Sequence, residues 1–343
     1  MRFERLAMKK PILILSISIL SFLLTCFLVV RGKNLAAPAP NFERIYKNDA
    51  IRLVRSFEMP FDVLDLKIYD QRFFVLNRSD QQIVELDTMG NVVARWGKRG
   101  GAPAEFQHII GWDVDRQGVY VLDVRRLAIT ELTFEGSVVA YYPVRSSFVR
   151  GHRLAAKHYV LKAMSKDSPR RQAFLLIDIS TDSTTVMKSP FPEVPNDIAF
   201  DGVFVKNNVG RNFYVSHWAS FFFSFDATGK QLYTAETIDR TPPPTILEQS
   251  GAMGMDPKAT LVNISMSANE RHLYILSRAR SRAQEDKGAV DLYDVRNGKY
   301  EYSFLIPGFK GEYPRIIAVG ENQFLAFQGE AIVHYRFQDV RQK

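Results

Sequence analysis

Five polar residues, Asp62, His108, Asp201, Asn263 and Glu312, are placed in this chain so that they could do chemistry together. Asp62 and His108 stand 46 positions apart, at the same point in two copies of one repeat. The other three occupy about the corresponding point in later copies. Ser147 or Arg150 fills it in the third, and Arg315 is the alternative to Glu312 in the sixth. If they converge, Asp62, Asp201, Asn263 and Glu312 offer the oxygen ligands that calcium takes at ~2.3 to 2.6 Å. Zinc wants several imidazoles. Only His152 and His217 could join His108, because His158, His272 and His334 fall at strand edges where solvent or local hydrogen bonds satisfy them. The simpler alternative is that these polar groups hydrate a channel whose backbone needs partners. Nucleophilic catalysis has no candidate: there is no Gly-x-Ser-x-Gly, and the single cysteine, Cys26, lies in an apolar run. Gly97 to Gly101 is glycine-rich and basic but precedes no helix, so it does not read as a phosphate loop.

The elements that position these residues come from an internal repeat. Residues 62–97 and 108–143 align without a gap, and ten of the 36 pairs are identical, among them Val75/Val121, Leu76/Leu122, Ile83/Ile129 and Gly90/Gly136. Each unit reads as four short strands, the period of one β-propeller blade. In the first they are Leu64–Tyr69, Phe73–Asn77, Gln82–Asp87 and Val92–Trp96; in the second Trp112–Asp115, Val119–Asp123, Ile129–Phe134 and Val138–Tyr142. The aromatic-aliphatic second strand recurs at Tyr159, Tyr214, Tyr274 and Phe324, which makes six units. Glycine supplies the positive φ needed between third and fourth strands at Gly90, Gly136, Gly229 and Gly298, whereas the third unit has Ser180 to Ser183 there. The sixth unit ends before a fourth strand, and Ile51 to Phe57 is a strand without a blade. Pairing the two closes the ring and removes its open edges.

The expected fold is therefore all-β, a six-bladed propeller of four-stranded antiparallel blades over residues 50–343, preceded by one membrane helix. Pro11 to Val30 is an uncharged apolar run which, at ~1.5 Å per residue, spans roughly 30 Å of hydrocarbon. Residues 1–10 form a basic cytoplasmic segment, 11–30 a signal anchor, and 31–49 a linker containing Ala-Ala-Pro-Ala-Pro. Two other fates compete: cleavage after Ala36-Ala37, and lipidation of Cys26, since Leu23-Leu24-Thr25-Cys26 resembles a bacterial lipoprotein box. The net charge of +8 is concentrated here, because residues 1–33 contribute +5 and leave +3 for the rest. Such a nearly neutral domain has no footprint for nucleic acid. One cysteine allows no disulfide within the chain, so the core alone must stabilise an extracytoplasmic, periplasmic or cell-surface domain.

Trp96-Gly97-Lys98-Arg99-Gly100-Gly101 through Glu105-Phe106, then Ile109 to Val114 and Gly118-Val119-Tyr120-Val121-Leu122-Asp123, resembles an NHL repeat. Val262-Asn263-Ile264-Ser265 to Leu273-Tyr274-Ile275 is similar to the repeats of six-bladed TolB-like propellers. The resemblance implies a ring that serves as an enzyme or as a binding platform. Some such rings hold calcium or zinc in the funnel and hydrolyse lactones or act as lyases, so a metal-dependent hydrolase or lyase at the five polar residues is the alternative function. Trp112-Asp113 falls in a first strand, where a WD40 blade does not carry it, and no Gly-Gly pair recurs as in kelch repeats.

The favoured expectation is a monomeric, membrane-tethered binding platform for a protein, peptide or glycan, with no cofactor. Its contact surface is expected where the chain is irregular. Asp239 to Lys258 is long for a connection and joins stiff prolines to pliant glycines around Met253, as a recognition loop or lid does. Arg278 to Gly288 is a charged extension of the fifth unit, and Trp218 is the contact residue of the aromatic cluster around Phe221 and Phe223. Trp218, Met253 and Arg278 are the expected binding residues.

Overall fold

The structure, a computed structural model, describes residues 42–338 apart from 166, 167, 169, 193–195, 250, 251 and 280–287. The expected membrane helix, most of the linker and Cys26 lie outside the described residues, as does most of the Arg278–Gly288 extension. Among the described residues, no helix is long and apolar enough to cross a membrane.

Six four-stranded antiparallel sheets form the blades. Five follow chain order from an inner to an outer strand. The sixth takes its outer strand, Ile51–Glu58, from the other end of the chain and pairs it antiparallel with Ala331–Phe337. Closure therefore occurs as the orphan strand implies. The second strand of each blade is covered on both faces by its neighbours, which is why Phe73, Phe74, Val75 and Leu76 form one apolar run and are all buried. Outer strands face solvent more, and Val92, Val93, Val138 and Val139 are exposed.

Each junction between blades has its own apolar cluster. Val63, Leu66, Phe73 and Val75 of blade one pack with Leu325, Phe327 and Ile332 of blade six, so the junction that seals the ring is as dry as the others. The junction of blades three and four is aromatic: Phe174, Phe191, Phe200, Tyr214, Phe221 and Phe223 pack together. Phe174 stands nearly perpendicular to Tyr214 at 5.2 Å and to Phe223 at 5.7 Å.

The turn glycines act as expected. Gly90 has φ +89°, and a Cβ there would sit 2.5 Å from the ring of Phe57, so this turn also seats the closing strand. In the third unit Asp182 takes the left-handed conformation instead, with φ 50°. Asp239 to Lys258 is not an irregular loop. Ile246–Gln249 pairs with Ala252–Met255 as a two-stranded hairpin. Ahead of the first blade strand, buried Arg44 reaches blade five: its Nε donates to Asp291 at 2.7 Å and its Nη2 to Ser277 at 3.0 Å. Tyr46 bridges to Ser303, and the amide of Lys47 donates to the Ser303 carbonyl.

Candidate functional site

The inner strands, Val63–Tyr69, Ile109–Asp115, Arg150–Ala155, Gly202–Lys206, Asn263–Ala268 and Pro314–Val319, surround a cavity of about 1530 Å³. In every blade the first inner residue pairs with a late residue of the second strand: Val63 with Asn77, Ile109 with Asp123, Arg150 with Lys162, Gly202 with Ser216, Asn263 with Ser277 and Pro314 with Gln328. The starts of inner strands and the turns after second strands therefore share one face of the ring. The cavity opens there between Arg78, Gln81, His108, Arg150, His217 and Arg315.

All six second-strand partners are polar and buried. In five blades that side chain holds the local chain. The Asn77 side-chain oxygen accepts from the amides of Ser79 and Asp80, and Ser216 Oγ from those of Trp218 and Ala219. Ser277 Oγ accepts from the amide of Ala279, and Gln328 Oε1 from that of Phe309. Asp123 does most, accepting from the amides of Gln107, His108, Arg125 and Arg126 at 2.6 to 3.2 Å. These are side-chain caps on turns, satisfying donors that would otherwise be buried without partners.

Blade three breaks this pattern. Lys162 has no acceptor to offer a turn. Its side chain is 1% exposed, and Nζ is paired with Asp201 of blade four. Burial pulls the ammonium below the ordinary lysine range against the pull of Asp201. For Asp201, burial opposes the charge, but Lys162 and then Arg150 outweigh it and hold the carboxyl below its usual value. Arg150 reaches the same carboxylate only at 4.0 Å, and its Nη1 donates to the Val149 carbonyl. One carboxylate thus serves two cations. His217 completes the group: its Nδ1 lies 2.7 Å from the Asn263 carbonyl, and burial lowers its pKa.

Deeper in the cavity, Lys67, Asp113, His152 and Lys206 come from four blades. Asp113 lies 3.5 Å from Lys206; burial opposes its charge, but Lys67 and Lys206 keep its carboxyl low. Burial drives His152 down to about 3, so its ring is neutral near pH 7. Asp65 accepts from Trp112 Nε1 at 2.8 Å, and burial raises its carboxyl. At the far end Asp70, Asp115 and Glu321 line the cavity with Arg336. Charge is therefore segregated along the axis, with arginines at the near mouth and mostly carboxylates at the far one.

Of the five polar residues expected at the funnel, His108 lines the cavity and the others turn to local partners. Asp62 pairs with Arg78 at 3.2 Å, Asp201 with Lys162, and the Asn263 amide donates to the carbonyls of Ser216 and Ala219. Glu312 sits exposed in a turn bonded to Phe309. The expected positions lie at or just before the starts of the inner strands, among the turns of the rim; beyond them, four inner strands carry a register shift, at Val63/Asp65, Ile109/Gly111, Asn263/Ser265 and Pro314/Ile316. Each bulge resets which side chains face inward, so counting along the chain loses the inward set. No three His, Cys, Asp or Glu side chains among the described residues stand together as a metal-binding group.

Trp218 and Met253 belong to the near face. Trp218 lies half-buried on the Ser216–Phe221 turn, which the base of the hairpin grips: the Ser220 hydroxyl donates to Asp239 at 2.6 Å and the Ser220 amide to the Thr241 carbonyl. Met253 accepts from Asn196 Nδ2 at 3.2 Å, and Glu248 pairs with Arg170, so the hairpin leans toward segments that precede blade four. Arg278 is exposed, just beyond the second strand of blade five. None of the three lines the cavity. Lys162 and Arg78 escaped the reading of the sequence. The signal for Lys162 was a lysine in Tyr159-Val160-Leu161-Lys162 at the point where its counterparts carry uncharged or acidic residues.

No family model matches the chain, and no curated protein matches it. Among solved structures, it is similar to a member of the duf4221 family from Bacteroides vulgatus, at 13% identity over 85% of this chain and 99% of that one, with a TM-score of 0.53. A protein from Bacteroides fragilis aligns at 10% identity over 87% of this chain and 95% of that one, with a TM-score of 0.52. At such identities the likeness shows the β-propeller fold alone.

Proposed function

We propose that this chain is a membrane-tethered, extracytoplasmic propeller that acts as a binding platform for a protein, peptide or glycan partner, docked on the near face. The observation that carries this is what the near face holds. It bears the Ile246–Met255 hairpin, the one sheet outside the six blades among the described residues, and an opening whose rim has three arginines. A rigid ring with an added hairpin and a rim of three arginines, of which Arg315 has no carboxylate partner among the described residues, is suited to recognition. The apolar run at 11–30 and its basic flank support the tether and the orientation, and the NHL-like stretch at Trp96–Asp123 supports kinship with NHL-like and TolB-like rings.

A photo-reactive residue at Trp218, on the near face, and another at Thr228, on the opposite face, test the reading in native membranes. A discrete adduct from position 218 and none from 228 is the expected result. Adducts from 228 alone, or equally from both, would move the platform off this face.

A further inference from the structure

We propose that the channel mouth binds the carboxylates of an acidic peptide segment, with Arg78, Arg150 and Arg315 as the anion-binding side chains. The inference rests on the reading of the near face as a binding platform and names the chemistry of its partner. The three guanidiniums come from blades one, three and six and line one opening. All the acidic side chains that line the cavity lie deeper or at the far end. Of the carboxylates near the rim, Asp62 is engaged with Arg78 and Asp201 with buried Lys162, while exposed Glu312 lies on the turn that precedes the inner strand of blade six. Arg315 has no carboxylate partner among the described residues; its Nη2 donates to the Gly329 carbonyl at 2.8 Å, and the guanidinium lies over the Phe327 ring at 5.0 Å.

Those contacts fix the plane of Arg315 without neutralising it, and Arg150 is held by the Val149 carbonyl while sharing Asp201 with Lys162. Less side-chain freedom is then lost when a ligand arrives. Arginine, unlike lysine, presents a planar fork that takes a carboxylate through two parallel hydrogen bonds, and arginine clusters are a recurring way to recognise acidic motifs. A sugar would want an aromatic face to lie on. The aromatic side chains lining this cavity, Tyr69, Trp112, Phe204 and Phe337, belong to the deeper and far parts, and Trp112 is buried. Asp70 and Glu321 at the far end repel a chain of carboxylates, whereas Asp115 there is paired with buried Arg153. The acidic segment therefore rests on the mouth and does not thread the ring.

The test uses the full-length protein in detergent micelles and a fluorescein-labelled hexaglutamate peptide, read by fluorescence anisotropy at low salt. Binding is expected, and added salt should weaken it. Replacing Arg78, Arg150 and Arg315 together by Gln should raise Kd at least about tenfold, whereas Lys98→Gln with Arg99→Gln, on the same face but off the cavity, should leave it unchanged. If the triple variant does not fold, Arg315→Gln alone should raise Kd roughly threefold, since that exposed side chain is held only by the Gly329 carbonyl and the Phe327 ring. No binding of hexaglutamate, or equal binding by the triple variant, overturns the inference. Tighter binding of a trigalacturonate competitor than of the peptide also overturns it and points to a glycan. Because the photo-adduct at position 218 does not depend on these arginines, its persistence alongside a failed peptide test would sink the inference and leave the platform reading standing.

Discussion

Blades two and three are neighbours on one plan, yet at a single equivalent position they carry opposite charges. Asp123 spends its carboxylate on four backbone amides, and the chain around it is fixed by that one side chain. Lys162, at the same register, caps nothing and holds a carboxylate of the next blade. The difference teaches how a repeat can free a position for other use. Five blades keep a cap where blade three has a cation, and that buried cation holds the carboxylate that Arg150 shares at the opening. Departures from a local rule tend to mark function or strain.

The contrast breaks most sharply at Asp123. Asp123→Ala leaves four amides without an acceptor, and urea denaturation should show a loss of about 3 kcal/mol. Lys162→Met is expected to cost less, roughly 1 to 2 kcal/mol, because Asp201 is 32% exposed and keeps Arg150 nearby. Adding Asp201→Asn to Lys162→Met should return most of that loss. A Lys162→Met variant as unstable as Asp123→Ala would mean that blade three depends on its lysine as blade two does on its acid.

Acid supplies the smallest test. The folded state holds the Asp201 carboxyl below its ordinary range, so as pH falls the unfolded chain takes up that proton first. The stabilisation is whole near neutrality and is lost as pH drops below about 4. Wild-type protein should lose its lead over the double variant in that window, and a constant difference from pH 7 to pH 3 would show that the pair adds nothing.

The ring was legible because it is written in the most redundant signal. Apolar second strands such as Phe73 to Leu76 repeat with their turn glycines, and the leftover strand at Ile51 had only one place to go. The hairpin was hidden, since Ile246 to Met255 has too few side chains to show alternation and its glycines and prolines suggest a loop. The inward-facing set was hidden for another reason. Bulges between Val63 and Asp65, Ile109 and Gly111, Asn263 and Ser265, and Pro314 and Ile316 shift the facing by one residue, and a bulge leaves no mark in composition. Trp218, Met253 and Arg278 were singled out because their stretches of sequence read as irregular, whereas Lys162 sits within a regular strand and shows itself only when all six blades are set in register.

Arg44 also decides how the domain meets a mechanical load. A pull on the chain at Phe42 does not arrive first at the strand that seals the ring. It is met by the Arg44 fork on Asp291 and Ser277 and by the pairing of Tyr46 and Lys47 with Ser303, all in blade five. The closing strand begins only at Ile51, on blade six. Tension is taken up one blade away from the seam, and the ring stays shut until that fastening gives.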